Sequence, residues 1–340
     1  MRNKLLFTCL LGLIGNILFA QNSDVTSLFK DEKPFDIKLK FSIKDIKKNT
    51  NDSVFMPSML YYKNETGKYD SIKISIRVRG DYRLKTCYFP PLRIKIEKAA
   101  SKGTPFEGNK SLKLVIPCQT AENKNYLLYK EYLCYQMYEA ITPYYFNTRL
   151  VNIEFVETGK KEKNFQLAGF FIEDDDLVAD RHKGKIGEGM KIHPMMLQDT
   201  SALRYEIYQY MVANTDWSTT FQHNTKLLIK EPKKYIPLAY DFDLAGFVNP
   251  PYAVVDETLG IEKVTDRLFR GFCRSPQITQ AVRAEFLSKE SVILAVVDQH
   301  SSLFEPKQLE PMKKYLQEFF QTLKDDNRFK KNITDNCRTK

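Results

Sequence analysis

Glycine is scarce, with only 14 in 340 residues, and no repeat recurs at a fixed period. Collagen-like chains, solenoid arrays and glycine-rich linkers are therefore excluded. Beyond residue 20 no run of 18 apolar residues occurs, so that part of the chain has no helical membrane span in its sequence. No two of the six cysteines have C-x-x-C spacing, and His182, His193, His223 and His300 are too dispersed for a zinc signature. G-x-S-x-G is missing and no cysteine stands in a protease signature, so the common hydrolase triads have no anchor. Lys+Arg outnumber Asp+Glu by 52 to 42, but the excess is scattered and not interleaved with aromatics. A nucleic-acid partner is not indicated.

What is present is the composition of a folded protein. Hydrophobic residues make up 43% and charged residues 28%, and 23 Phe with 19 Tyr supply ample core. Residues 1–20 read as a secretory signal peptide: Arg2 and Lys4, an apolar run from Leu5 to Phe19, then Ala20. The expectation is export to the periplasm, cell surface or medium, with no transmembrane segment in the mature chain. Five cysteines then remain, enough for one or two disulfides. Cys87 and Cys118, each close to a strand, are the expected pair.

Residues 21–34 are polar and are expected to form a flexible N-terminal segment. Period-two alternation at 36–43, 71–78 and 92–96, with a short apolar run at 112–116, predicts antiparallel strands. Helical spacing takes over at 122–141 and ends before Pro143. Strands return at 149–156 and 165–172, a helix at 200–213 with Asp199 or Thr200 as N-cap, and two strands at 225–229 and 235–240. Helices are predicted at 260–272, 276–288, 290–303 and 306–324. This order is α+β. It divides the chain into a sheet-rich N-lobe with one helix (35–175), a helical C-lobe (176–329) and a polar tail (330–340), with a cleft between the lobes.

The densest constellation of chemistry-bearing residues lies at 214–243: Asp216 and Trp217, His223 and Asn224, then Asp241, Phe242 and Asp243. The predicted layout of helix, loop, strand, turn, strand, loop brings the loop of Asp216 and Asn224 back beside that of Asp241. Carboxylates and an amide so arranged suit magnesium and a triphosphate, because phosphoryl transfer asks the protein mainly for positioning and charge neutralisation.

The run VANTDWSTTFQHNTKLLI, followed by YIPLAYDFDLAG, resembles the catalytic and metal loops of the protein-kinase-like superfamily. It is most similar to the atypical spore-coat protein H (CotH)-like kinases, and Arg77-Val78-Arg79-Gly80 precedes it in the order of that family. The resemblance covers roughly residues 70–250. It implies a two-lobed protein-kinase-like fold with an antiparallel-sheet N-lobe, and Mg2+ and ATP as cofactors. It implies Asp216 as the catalytic aspartate, with Asn224 and Asp241 holding metal. Lys95 is its candidate phosphate-gripping lysine and Lys113 the rival; Glu131 is the ion-pair partner, and Glu173 lies at the hinge near the adenine. The spacing of eight from Asp216 to Asn224 is longer than in ordinary kinases and implies a bulged loop. The stretch Gly184–Gly189 is glycine-rich but comes too late for a phosphate loop, and reads as a flexible loop or a flap. The function so implied is exported phosphotransfer to a hydroxyl of a protein or glycan. The alternative is a catalytically inactive kinase-like protein of envelope assembly or binding.

Overall fold

The computed structural model describes residues 25–119, 125–231 and 233–339. The expected signal peptide lies outside them. The elements in chain order are β1 (Phe35–Phe41), α1 (Ile43–Asn49), β2 (Met56–Lys63), β3 (Tyr69–Val78), α2 (Asp81–Thr86), β4 (Leu92–Ile96), α3 (Lys98–Ser101) and β5 (Ser111–Val115). Then come α4 (Asn125–Ile141), β6 (Thr148–Glu157), β7 (Lys163–Ile172), α5 (Asp175–Arg181), β8 (Lys185–Ile186), α6 (Asp199–Met211), β9 (Thr225–Lys230) and β10 (Lys234–Ala239). The chain closes with α7 (Pro276–Ser288), α8 (Glu290–Gln299), α9 (Pro306–Lys324) and α10 (Asp326–Phe329).

Alternation makes the strands and also decides which way they face. Ile37, Leu39 and Phe41 of β1 are buried between Lys38 and Lys40, and Leu92, Ile94 and Ile96 of β4 are buried around Lys95. Both sets, with Ile74 and Ile76 of β3 and Phe171 of β7, fill one apolar interior. Gly169 points into it beside Ile153 and Val151; a Cβ there would meet Ile153 Cδ1 at 2.7 Å, so no larger residue fits without movement.

The sheet closes. Its order is β1-β2-β3-β4-β5-β7-β6, and β6 returns to β1. Every neighbouring pair is antiparallel except β1 and β6, which run parallel from Phe35 opposite Val151 to Phe41 opposite Glu157. This corrects the expected fold class. The chain does not form a two-lobed kinase-like molecule with an antiparallel-sheet N-lobe; it forms a seven-stranded mixed barrel with helices packed beside it. Periodicity reveals a strand but not its partner, and here the two free edges pair across 116 positions of sequence, which leaves the barrel no edge to protect.

A second core lies outside the barrel wall. Val115, Leu150, Phe170 and Ile172 point outward from β5, β6 and β7 and join α4, α6, β10 and α7 to α9. The small sheet β10-β9-β8 stands on this side. The helix α9 matches its predicted span, capped by a reciprocal Glu305–Gln308 box. Elsewhere the local reading needs correction. The cap of α6 is Gln198, not Asp199 or Thr200. Strand β2 was not anticipated, and residues 260–272 form no helix. Residues 25–34 are tied down: Leu28 is buried and its carbonyl accepts from Arg149. The polar tail carries a π-helical turn, Lys330–Thr334, with Ile333 buried.

Disulfides join Cys87 to Cys118, as expected, and Cys273 to Cys337; Cys134 is free and buried. In a loop-entropy account each bridge stabilises by about 4 kcal/mol. No described helix is long and apolar enough to cross a membrane.

The Cys273 bridge borders a buried carboxylate whose titration is testable. Glu206 of α6 is almost fully buried, and burial pushes its pKa up to about 7 against the opposing charge of Arg274. From about pH 4.5 to pH 7 the unfolded chain has lost this proton while the folded chain keeps it. Stability must therefore fall as pH rises through that window, by about 3 kcal/mol in total. In Glu206→Gln that part of the pH dependence is expected to vanish, as read from urea unfolding at pH 5 and pH 8.

Candidate functional site

The site forms where the barrel meets the second core. Arg79 and Gly80 follow strand β3; Gly80 turns the chain with φ 75° and caps α2, which carries Arg83. Arg83 is buried, and its Nη2 donates to the Ile116 carbonyl at 2.5 Å. The Cys87–Cys118 bridge holds the end of α2 to the segment after β5.

Three carboxylates, one from α4 and two from the loop after β10, face these arginines. Arg83 Nη1 lies 3.8 Å from Glu131 and its Nε 3.9 Å from Asp243. Arg79 Nη1 lies 4.0 Å from Asp241. Asp241 takes φ 65°, and its main-chain N–H donates to Tyr135 Oη at 2.8 Å. Phe242 is fully buried against Tyr135 and Tyr208, with ring centroids at 5.0 and 5.7 Å. That anchor orients the acidic residues on either side of it. Burial, then the charge of Asp241, pushes Asp243 up to about 7, and Asp216 adds to the repulsion. Burial and the Asp243 charge likewise hold Glu131 well above its usual range.

The loop of Asp216 closes on itself. Ser218 and His223 exchange main-chain hydrogen bonds at 2.9 and 3.0 Å, forming a miniature hairpin that absorbs the long spacing. Asn224, at φ 47°, is thereby returned to Asp216: its Nδ2 donates to the Asp216 carboxylate at 3.0 Å and to its carbonyl at 2.8 Å. His223 Nε2 lies 2.8 Å from the other carboxylate oxygen. Trp217 is buried against Tyr205, and its Nε1 donates to the Asn214 carbonyl.

Beside this lies a cleft of about 520 Å³, lined among others by Arg77, Arg93, Lys95, Asp175 and Lys226. Lys113 is buried and hydrogen-bonded to Asp175, with its ammonium 4.8 Å from the Phe146 ring centroid. Lys226 approaches the same carboxylate at 3.4 Å. Burial works to raise Asp175, yet the two ammonium groups hold it well below the usual range. Tyr240 bridges the two regions, feeling Asp241 and Arg79 as well as Asp175 and Arg93.

Three expected roles change on this geometry. The expected lysine–Glu131 ion pair is not made: Lys113 takes Asp175, and Glu131 takes Arg83. Lys95 is exposed on the outer face of β4. Glu173 is not a free hinge acceptor: one oxygen accepts from Arg181 at 2.6 Å, the other from the main-chain and side-chain N–H groups of Asn147. The glycine-rich stretch is not a loose loop in this structure, and its Ile186 and Glu188 line the cleft. It pairs with β9 as β8, and Gln222 donates to the Gly187 and Met190 carbonyls.

No family model matches this chain, and no curated protein matches it. The site therefore has to be judged on its own donor set. Among the described residues no three His, Cys, Asp or Glu side chains are grouped to hold a metal by themselves. Mg2+ does not require such a cage: it takes one or two carboxylates and completes its shell with water and phosphate oxygens. Asp241 and Asp243 are hard donors in mutual repulsion, and the arginines stand near ion-pair range without a hydrogen bond to either. That set fits a divalent cation. Arg83 was missed as a site residue by the sequence reading; Arg79 was signalled by the Arg-x-Arg-Gly motif, and Asp243 by its place beside Asp241.

Proposed function

We propose that this protein is an exported phosphotransferase that uses Mg-ATP to modify a hydroxyl of a protein or glycan. The observation that carries the reading is the acidic loop after β10, where Asp241 and Asp243 stand 4.0 and 3.9 Å from Arg79 and Arg83; burial raises Asp243 most, and Asp241 and then Asp216, from the loop before the β9–β10 hairpin, raise it further. Asp241 and Asn224 would hold the metal, with Asp243 beside them. Bound Mg-ATP supplies the phosphoryl group and neutralises its charge. Asp216 orients the acceptor hydroxyl and takes its proton, held in place by His223 and Asn224. Lys95 lines the neighbouring cleft and is the strand lysine open to an anion there, whereas Lys113 is buried and paired with Asp175. The local likeness to CotH-like kinases over 205–246 supports this reading through its residue order, and the two disulfides support export.

A binding role without turnover is the second reading. It is favoured by the state of Asp216, whose carboxylate oxygens are both engaged within its own loop. Thermal melting with Mg2+ and ATP tests the site. At ATP a hundredfold above Kd the protein should gain about 3 kcal/mol, a rise of several degrees in Tm, and Asp241→Ala should gain nothing. No shift in the wild-type protein would sink the nucleotide site under either reading.

A further inference from the structure

A separate cavity of about 510 Å³ opens beside α4, where Lys130 rather than its neighbour Glu131 faces the space. Its walls include Tyr126 of α4, Phe247 of the turn after Asp243, and Pro311, Met312 and Tyr315 of α9. The volume falls within the range of small-molecule sites, roughly 300–1,000 Å³.

Lys130 is an ammonium without an acid. Its Nζ donates to the Val248 carbonyl at 2.9 Å and stands 5.4 Å from the Phe247 ring centroid. Among the described residues no carboxylate forms an ion pair with it, and none lines the cavity. The other charged lining residue, Lys307, is exposed and already paired with Glu305 at 2.8 Å. Burial pushes the Lys130 pKa down to about 8, as befits a cation short of a counter-charge. Lys130 is half-buried, and a partly desolvated charge gains from a counter-charge that no carboxylate lining this cavity supplies. Three aromatic rings with Pro311 and Met312 suit a flat apolar body, Asn249, Thr265 and Gln308 supply neutral polar lining, and the Lys130 ammonium favours a body that carries a single negative group.

We propose that this cavity binds a small aromatic monocarboxylate, with its carboxylate on Lys130 and its ring held among Tyr126, Phe247 and Tyr315. The proposal does not depend on phosphotransfer. The probes are 2-naphthoate and its neutral analogue 2-naphthamide, titrated calorimetrically into the whole protein. Naphthoate should bind the wild type, and Lys130→Met, which keeps the apolar stem, should weaken it by about tenfold or more. Naphthamide should bind both proteins alike. On the wild-type chain, reductive methylation read by peptide mass spectrometry should show naphthoate protecting Lys130 at least about fivefold, with the exposed Lys307 unchanged. That measurement decides the matter even if the variant does not fold. Failure of naphthoate to bind, equal binding to both proteins, or binding that leaves Lys130 unprotected overturns the proposal.

Discussion

Replacing Asp216 by alanine is expected to lower phosphotransfer by about a hundred- to ten-thousandfold while Mg-ATP still raises Tm as in the wild type. Proton acceptance by a positioned carboxylate matters only as the acceptor oxygen attacks, so its loss falls on the rate and spares nucleotide binding. The structure supplies the positioning. The Asp216 main-chain N–H donates to Asn214, its carboxylate is fixed by His223 and Asn224, and the loop is anchored by buried Trp217. Transfer from γ-labelled ATP to a hydroxylic acceptor, or to water, is the rate measurement; the Tm gain with Mg-ATP is the binding measurement. Asp216→Asn should match the alanine variant in rate while preserving the loop. An equal loss of rate and binding in both variants would make Asp216 a metal or structural residue, and unchanged rates would remove it from the chemistry.

Arg181→Met is expected to destabilise the protein by about 3–5 kcal/mol, a fall of roughly 4–7 °C in Tm. Arg181 and Glu173 are both buried, their ion pair spans 2.6 Å, and Arg181 also donates to the Tyr145 carbonyl at 2.7 Å. Removing the guanidinium strands a buried carboxylate with only the Asn147 N–H groups to satisfy it. Removing both charges together, in Glu173→Gln with Arg181→Met, should recover part of the loss, because the cost lies in the uncompensated charge. Neither substitution should change the size of the Mg-ATP shift. A weakened shift in Glu173→Gln at unchanged stability would restore this residue to the nucleotide site.

These two cases mark how far the sequence could be read. Asp216, Asn224 and Asp241 were legible because hard donors in that order after a helix and around a hairpin are uncommon in ordinary loops. Their convergence rested on local elements only: α6, the β9–β10 pair and the short loops at its ends. Glu173 was misjudged because its partner is decided by α5 folding back, not by the strand that precedes it. Lys113 and Lys95 look alike in an alternating strand. They separate because β5 lies where both its faces are covered, whereas the outer face of β4 remains exposed at Lys95. Packing against Asp241, Asp243 and Glu131 is what makes Arg79 and Arg83 organisers of the site.

By itself the sequence determined the strands of alternating residues, the C-terminal helices α7 and α9 and the β9–β10 hairpin. Each depends on contacts between near neighbours, or on a pattern that repeats every two or 3.6 residues. Tertiary structure alone decided that the sheet closes through β1 and β6, and which acid each buried cation meets. The reason is physical: a strand edge or an ammonium carries no address, and among many chemically equivalent partners the choice falls to whichever packing buries the most apolar surface while leaving the fewest charges unpaired.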